Sequence, residues 1–183
     1  VPSELEPGFM LPAILPRADA ADAFERASTL WSAPVIRANY ALALVNLDRN
    51  DEAIEKARAA LDPTGKRGWQ EGFISLADGL AAWVLARAGE RNEAEVAVRR
   101  ILEGPPERRC NAGFALALLG RRDEALELLR GLPPFAFFYL FAFISENQAL
   151  RDDPRTTELL VYLGAVEAYE TRERVLLKLA AKR

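Results

Sequence analysis

Residues 110–131 read CNAGFALALLGRRDEALELLRG, two apolar stretches on either side of a polar turn. Apolar residues recur three and four positions apart in both stretches, which is the spacing of helices that each bury one face. Gly120 lies at the turn, and Glu124 lies in the first turn of the second stretch, where a negative charge favours the helix dipole. The segment therefore predicts a hairpin of two short helices.

The same layout occurs twice upstream. Each copy has a small residue in the first helix, a leucine three residues later, and an alanine twelve residues after the small residue. The small residues are Ala41, Ala82 and Gly113, the leucines are Leu44, Leu85 and Leu116, and the alanines are Ala53, Ala94 and Ala125. Apolar residues follow each alanine by four and seven positions: Ala57, Ala60, Val98, Ile101, Leu129 and Leu132. Because small residues let helix axes approach closely, the pattern predicts three tightly packed hairpins.

This pattern resembles the tetratricopeptide repeat, a helical hairpin of about 34 residues with a small residue in its first helix and an alanine in its second. The resemblance covers residues 34–132. The steps between the second-helix alanines are 41 and 31 residues, because the first helix of the second copy is longer. The resemblance implies an all-α fold, a short right-handed solenoid of helical hairpins with a C-terminal helical cap. The alternative is an alanine-rich helical bundle.

We interpret the 183 residues as one helical domain. Residues 1–17 carry four prolines and predict a leader that lies on apolar surface, or alternatively a flexible linker. Residues 34–132 hold the three hairpins, and residues 133–183 hold an aromatic helix and the cap. Between them, residues 18–31 predict a helix that matches a second helix of the repeat at Ala20, Phe24 and Ala27. Ser32 and Pro34 then predict the capped start of the next helix.

Residues 135–144 form the most apolar run, FAFFYLFAFI. The run is shorter than the ~18 residues that a bilayer span requires. Every face of the corresponding helix is apolar, which predicts a central helix buried on all sides. The alternative leaves one aromatic face for a partner or a second subunit, and a homodimer is then an open possibility.

Residues 150–164 read LRDDPRTTELLVYLG. This segment is similar to the closing segment of tetratricopeptide arrays attached to bacterial transcriptional regulators and nucleotide cyclases. Asp152 or Asp153 predicts a helix cap, Pro154 the first turn and Gly164 the helix end. Residues 165–182 predict an amphipathic helix that closes the array.

Composition narrows the class of function. A net charge of −3 without a basic block argues against nucleic-acid binding. Histidine is absent and Cys110 is the only cysteine, which removes the commonest general base and any cysteine-pair metal site. The sequence has no phosphate loop, dinucleotide glycine pattern or nucleophile elbow. We therefore predict no catalytic residue, metal or cofactor, and an all-α enzyme is only a remote alternative. No signal-peptide pattern is visible, so the cytoplasm is the expected compartment.

The resemblance also implies where a partner binds. In the family, residues beside the small residues of the first helices line a concave face. The corresponding residues here are Asn39, Leu42, Asn46, Trp83, Arg87, Asn111 and Phe114. An asparagine can bond to the backbone of an extended peptide, and an arginine can pair with a carboxylate.

Trp83 is the strongest of these candidates, because a large aromatic residue one turn from Arg87 has the composition of a binding anchor. Its alternative role is to fill space between hairpins. The expected function is a non-catalytic protein- or peptide-binding scaffold without nucleic acid or membrane as a partner. The alternative function is the effector-docking domain of a bacterial transcriptional regulator.

Overall fold

The computed structural model describes residues 17–66, 71–132 and 137–180, and all regular structure in these ranges is helical. The α-helices are α1 (Arg17–Leu30), α2 (Pro34–Val45), α3 (Asn50–Leu61), α4 (Glu71–Arg87), α5 (Arg91–Glu103), α6 (Gly113–Leu116), α7 (Arg122–Leu129), α8 (Phe137–Glu146), α9 (Gln148–Arg151), α10 (Pro154–Tyr162) and α11 (Val166–Ala180). Short 3₁₀ helices span Pro63–Lys66 and Pro106–Ala112. The all-α prediction is confirmed for these residues. Residues 1–16 of the predicted proline-rich leader lie outside the described part of the chain.

The helices pair in the order that the repeats predict. Helices α2 and α3 form hairpin 1, α4 and α5 form hairpin 2, and the second 3₁₀ helix with α6 and α7 forms hairpin 3. Each first helix also packs against the helices of the preceding hairpin. Helix α1 packs on α2 and buries Ala20 and Phe24, so it occupies the place of a second helix ahead of hairpin 1.

Close helix contacts occur at the small residues. The paired small residues and alanines of all three hairpins are buried, as are the apolar residues that follow the alanines. A Cβ added to Gly113 would lie 2.6 Å from Cγ of Leu129. A Cβ added to Gly79 would lie 2.5 Å from the backbone oxygen of Asn111, where α4 crosses the neighbouring 3₁₀ helix. The predicted close packing within hairpin 3 is thus confirmed, and a second close contact joins hairpins 2 and 3.

Two local predictions differ from the structure. Ser32, the predicted cap, is exposed, and the N-terminal cap of α2 is Ala33, which makes no side-chain hydrogen bond. Pro34 lies in the first turn of α2, as predicted. The first helix of hairpin 3 is a 3₁₀ helix before it becomes α-helical at Gly113. It begins at Pro106, whose fixed φ suits a first helical position.

All hairpin turns share one backbone geometry. In each, one residue has a positive φ, and the next residue donates its N–H to the carbonyl oxygen of a leucine five positions earlier, as in a Schellman motif. The positive-φ residues are Asp48 (60°), Gly89 (94°), Gly120 (88°) and Gly164 (64°). The backbone bonds run from Arg49 to Leu44, from Glu90 to Leu85, from Arg121 to Leu116 and from Ala165 to Leu160, with N–O distances of 2.8–3.1 Å.

The last of these turns makes α10 and α11 a fourth hairpin. The sequence predicts Gly164 only as a helix end, although Leu160 precedes it by the same four residues that separate Leu116 from Gly120. Tyr169 stands where the other hairpins have an alanine, nine residues after the leucine, so the pattern of small residues does not reveal this hairpin.

Candidate interaction surface

Helix α8 lies across the first helices of the three hairpins. We call the side of α2, α4 and α6 that carries Asn39, Trp83 and Phe114 the first-helix face. The Phe143 ring of α8 lies edge-on to the Trp83 indole, with centroids 5.3 Å apart, and 6.0 Å from the Phe114 ring. Trp83 and Phe114 stack on each other at 6.3 Å, and all three side chains are buried. An aromatic cluster therefore joins α8 to hairpins 2 and 3.

The contact of α8 with hairpin 1 runs through Tyr139. Burial raises the pKa of the Tyr139 phenol, and a hydrogen bond with the Asn39 side chain partly opposes that rise. Tyr139 and Phe143 are four residues apart and so lie on the same side of the helix. One side of α8 thus reaches hairpins 1, 2 and 3.

Asn39 is unusual among the buried polar residues of this face. Its Nδ2 donates to the carbonyl oxygen of Val35 at 2.8 Å, while its Oδ1 has no hydrogen-bond partner within the described part of the chain. The residue is only 1 % exposed. A buried acceptor without a partner typically costs about 1–3 kcal/mol.

The opposite side of α8 packs on the C-terminal hairpin, where Phe141 lies 5.6 Å from the ring of Tyr169 in α11. Helix α8 is therefore enclosed between the first-helix face and α11. Its described apolar side chains other than Phe141 are also buried: Tyr139, Leu140, Phe143 and Ile144. The predicted central helix is confirmed for these residues.

The seven predicted partner-binding residues lie together on the first helices, but most of them are covered. Leu42, Trp83 and Phe114 are buried, and so are the three asparagines Asn39, Asn46 and Asn111. The expectation of an open concave surface is wrong for these six residues, because α8 and the neighbouring hairpins occupy the space. Trp83 contacts Phe114 of hairpin 3 and Phe143 of α8, so it fills the space between them.

Polar candidates on this face connect neighbouring hairpins. Nη1 of Arg87, which is partly exposed, donates to Oδ1 of Asn46 at 2.8 Å and so joins hairpins 2 and 1. Nδ2 of Asn111 donates to Oγ of Ser75 at 2.8 Å and joins hairpins 3 and 2. Both contacts are between hairpins, so these side chains already have partners in the fold. Sequence spacing does not predict these pairings.

Exposed ion pairs connect the second helices on the other side of the stack. Arg58 of α3 makes two bonds to the carboxylate of Glu93 in α5, at 2.9 and 2.5 Å, and this lowers the pKa of Glu93. Arg121 pairs with Glu95 of α5 at 3.3 Å and with Glu124 of α7 at 2.7 Å. We call this charged row the second-helix edge.

The row ends where α10 meets α7. The Asp153 carboxylate accepts bonds from the Arg155 backbone N–H at 3.0 Å and from Nη2 of Arg155 at 2.7 Å. Nη1 of Arg155 bonds to Asp123 at 2.7 Å, and Arg122 lies 3.6 Å from Asp153. Chiefly through the Arg155 side chain, this environment lowers the pKa of Asp153 to about 2. The predicted cap at Asp153 is confirmed, and the segment that resembles regulator arrays fixes α10 to α7.

A cleft of about 430 Å³ opens beside this contact and is lined by three arginines, Arg121, Arg122 and Arg155. Each guanidinium pairs with a carboxylate, with Glu124, Asp153 and Asp123 respectively. The cleft is therefore close to charge balance and presents no surplus of positive charge to an anion.

The remaining chemical groups are few. Cys110 is a free, buried cysteine, and burial raises the pKa of its thiol, which keeps it protonated. Within residues 17–66, 71–132 and 137–180, no group of three acidic, cysteine or histidine side chains is arranged to hold a metal ion. In the same ranges, no helix has both the length and the hydrophobicity needed to span a bilayer.

Comparison with known proteins gives no match among family models, and neither the curated proteins nor the solved structures contain a significant match.

Proposed function

We propose that this chain is a non-catalytic interaction module: a short right-handed solenoid of tetratricopeptide-like hairpins that binds a protein partner. The observation that supports this proposal most is the position of α8. Its aromatic residues pack against side chains of successive first helices, as Phe143 does against Trp83 and Phe114. The first-helix face thus already accommodates one helix.

A helix laid on an apolar surface and anchored by residues three and four positions apart is a recurring mode of protein recognition. Large aromatic residues in such a surface are the usual source of binding energy. Trp83 and Phe114 supply these residues on the hairpin side, where they stack on each other and the Phe143 ring of α8 lies edge-on to them. The partner class that fits best is therefore a protein that contributes a helix. The alternative function, an effector-docking domain of a bacterial transcriptional regulator, is supported only by the resemblance of residues 150–164 to the closing segment of such arrays.

Affinity capture with the tagged full chain, followed by calorimetric titration of the purified captured protein, tests this proposal. We expect saturable 1:1 binding with a Kd below about 10 μM, equivalent to roughly −7 kcal/mol or better, and a negative heat-capacity change from apolar burial. Val96→Asp, an exposed position on α5, is the matched control and should leave binding unchanged. Absence of any captured protein that titrates to saturation would reject the proposal.

A further inference from the structure

We draw no further inference here: the strongest candidate, the open groove of about 410 Å³ between α3 and α5 with Leu61, Val96 and Ala97 in its lining, carries none, because nothing in the described part of the chain shows what covers it.

Discussion

The first-helix face and the second-helix edge hold the same stack of hairpins together with different chemistry. On the face, the rings of Trp83, Phe114 and Phe143 are buried against one another. On the edge, Arg58 and Glu93 pair where both side chains are about half exposed. Burial of an aromatic side chain contributes several kcal/mol, while an exposed ion pair contributes about 0–1 kcal/mol. The comparison indicates that the face contributes more to the stability of the stack than the edge does.

The largest effect should come from Trp83→Ala, because it opens a cavity at the centre of the aromatic cluster. We expect a loss of about 3–5 kcal/mol in the free energy of unfolding, measured by urea denaturation. Trp31→Ala is the matched control, since Trp31 is 39 % exposed, and it should change stability by about 0.5 kcal/mol or less. Equal losses for the two variants would mean that Trp83 is not enclosed by α8.

Adding a methyl group at the closest helix contacts should have the next largest effect. Gly79→Ala and Gly113→Ala should each destabilise by roughly 1–3 kcal/mol through overpacking. The loss should be greater at Gly79, because its Cβ would lie 2.5 Å from a backbone oxygen of Asn111, whereas the closest atoms at Gly113 belong to the side chain of Leu129. Thermal denaturation of the two variants measures which loss is greater. A greater loss for Gly113→Ala would argue against the contact between hairpins 2 and 3.

Acid titration should expose the role of Asp153 at the end of the second-helix edge. Its pKa is lowered to about 2 in the folded chain, so the unfolded chain binds the proton first as pH falls. The stabilisation is therefore present above an ordinary carboxyl pKa of about 4 and is lost as pH falls from about 4 to 2. Chemical denaturation between these pH values should show a steeper loss for the unchanged chain than for Asp153→Asn. Parallel curves would show that the ion pairs at α10 do not stabilise the fold.

The smallest effect should come from Glu93→Gln, which removes the charge that bonds to Arg58 on the second-helix edge. We expect a change below about 1 kcal/mol in denaturant midpoint measurements. The difference should shrink further in high salt, because both side chains are solvent-accessible. A loss comparable to that of Trp83→Ala would remove the distinction between face and edge.

The hairpins were predictable because their signals are local. Paired residues such as Gly113 and Ala125 lie twelve positions apart, so the small residues, the leucines and the turns can all be read within one short window. The fourth hairpin shares the spacing between Leu160 and Gly164, but Tyr169 replaces its alanine and weakens the match. Backbone geometry reveals the repeat because the turn depends on the positive φ of Gly164 rather than on the size of the side chain.

Local sequence signals do not predict that the candidate surface is covered. The position of Trp83 after Ala82 predicts an exposed place on a concave side, whereas Trp83 is buried against Phe114 and Phe143. Its cover comes from Phe143, sixty residues later in the chain, and no periodicity within either segment connects the two. An all-apolar run predicts burial of α8 without specifying the surface against which it is buried.

Nuclear Overhauser spectroscopy of the full chain tests most directly whether α8 occupies the first-helix face. The centroids of Trp83 and Phe143 are 5.3 Å apart in an edge-on arrangement, which brings ring protons into close contact. The account predicts cross-peaks between the Trp83 indole and the Phe143 ring, accompanied by cross-peaks between the Tyr139 ring and the Asn39 side-chain amide. Cross-peaks from Trp83 to Phe114 without any to Phe143, in a folded chain, would contradict it.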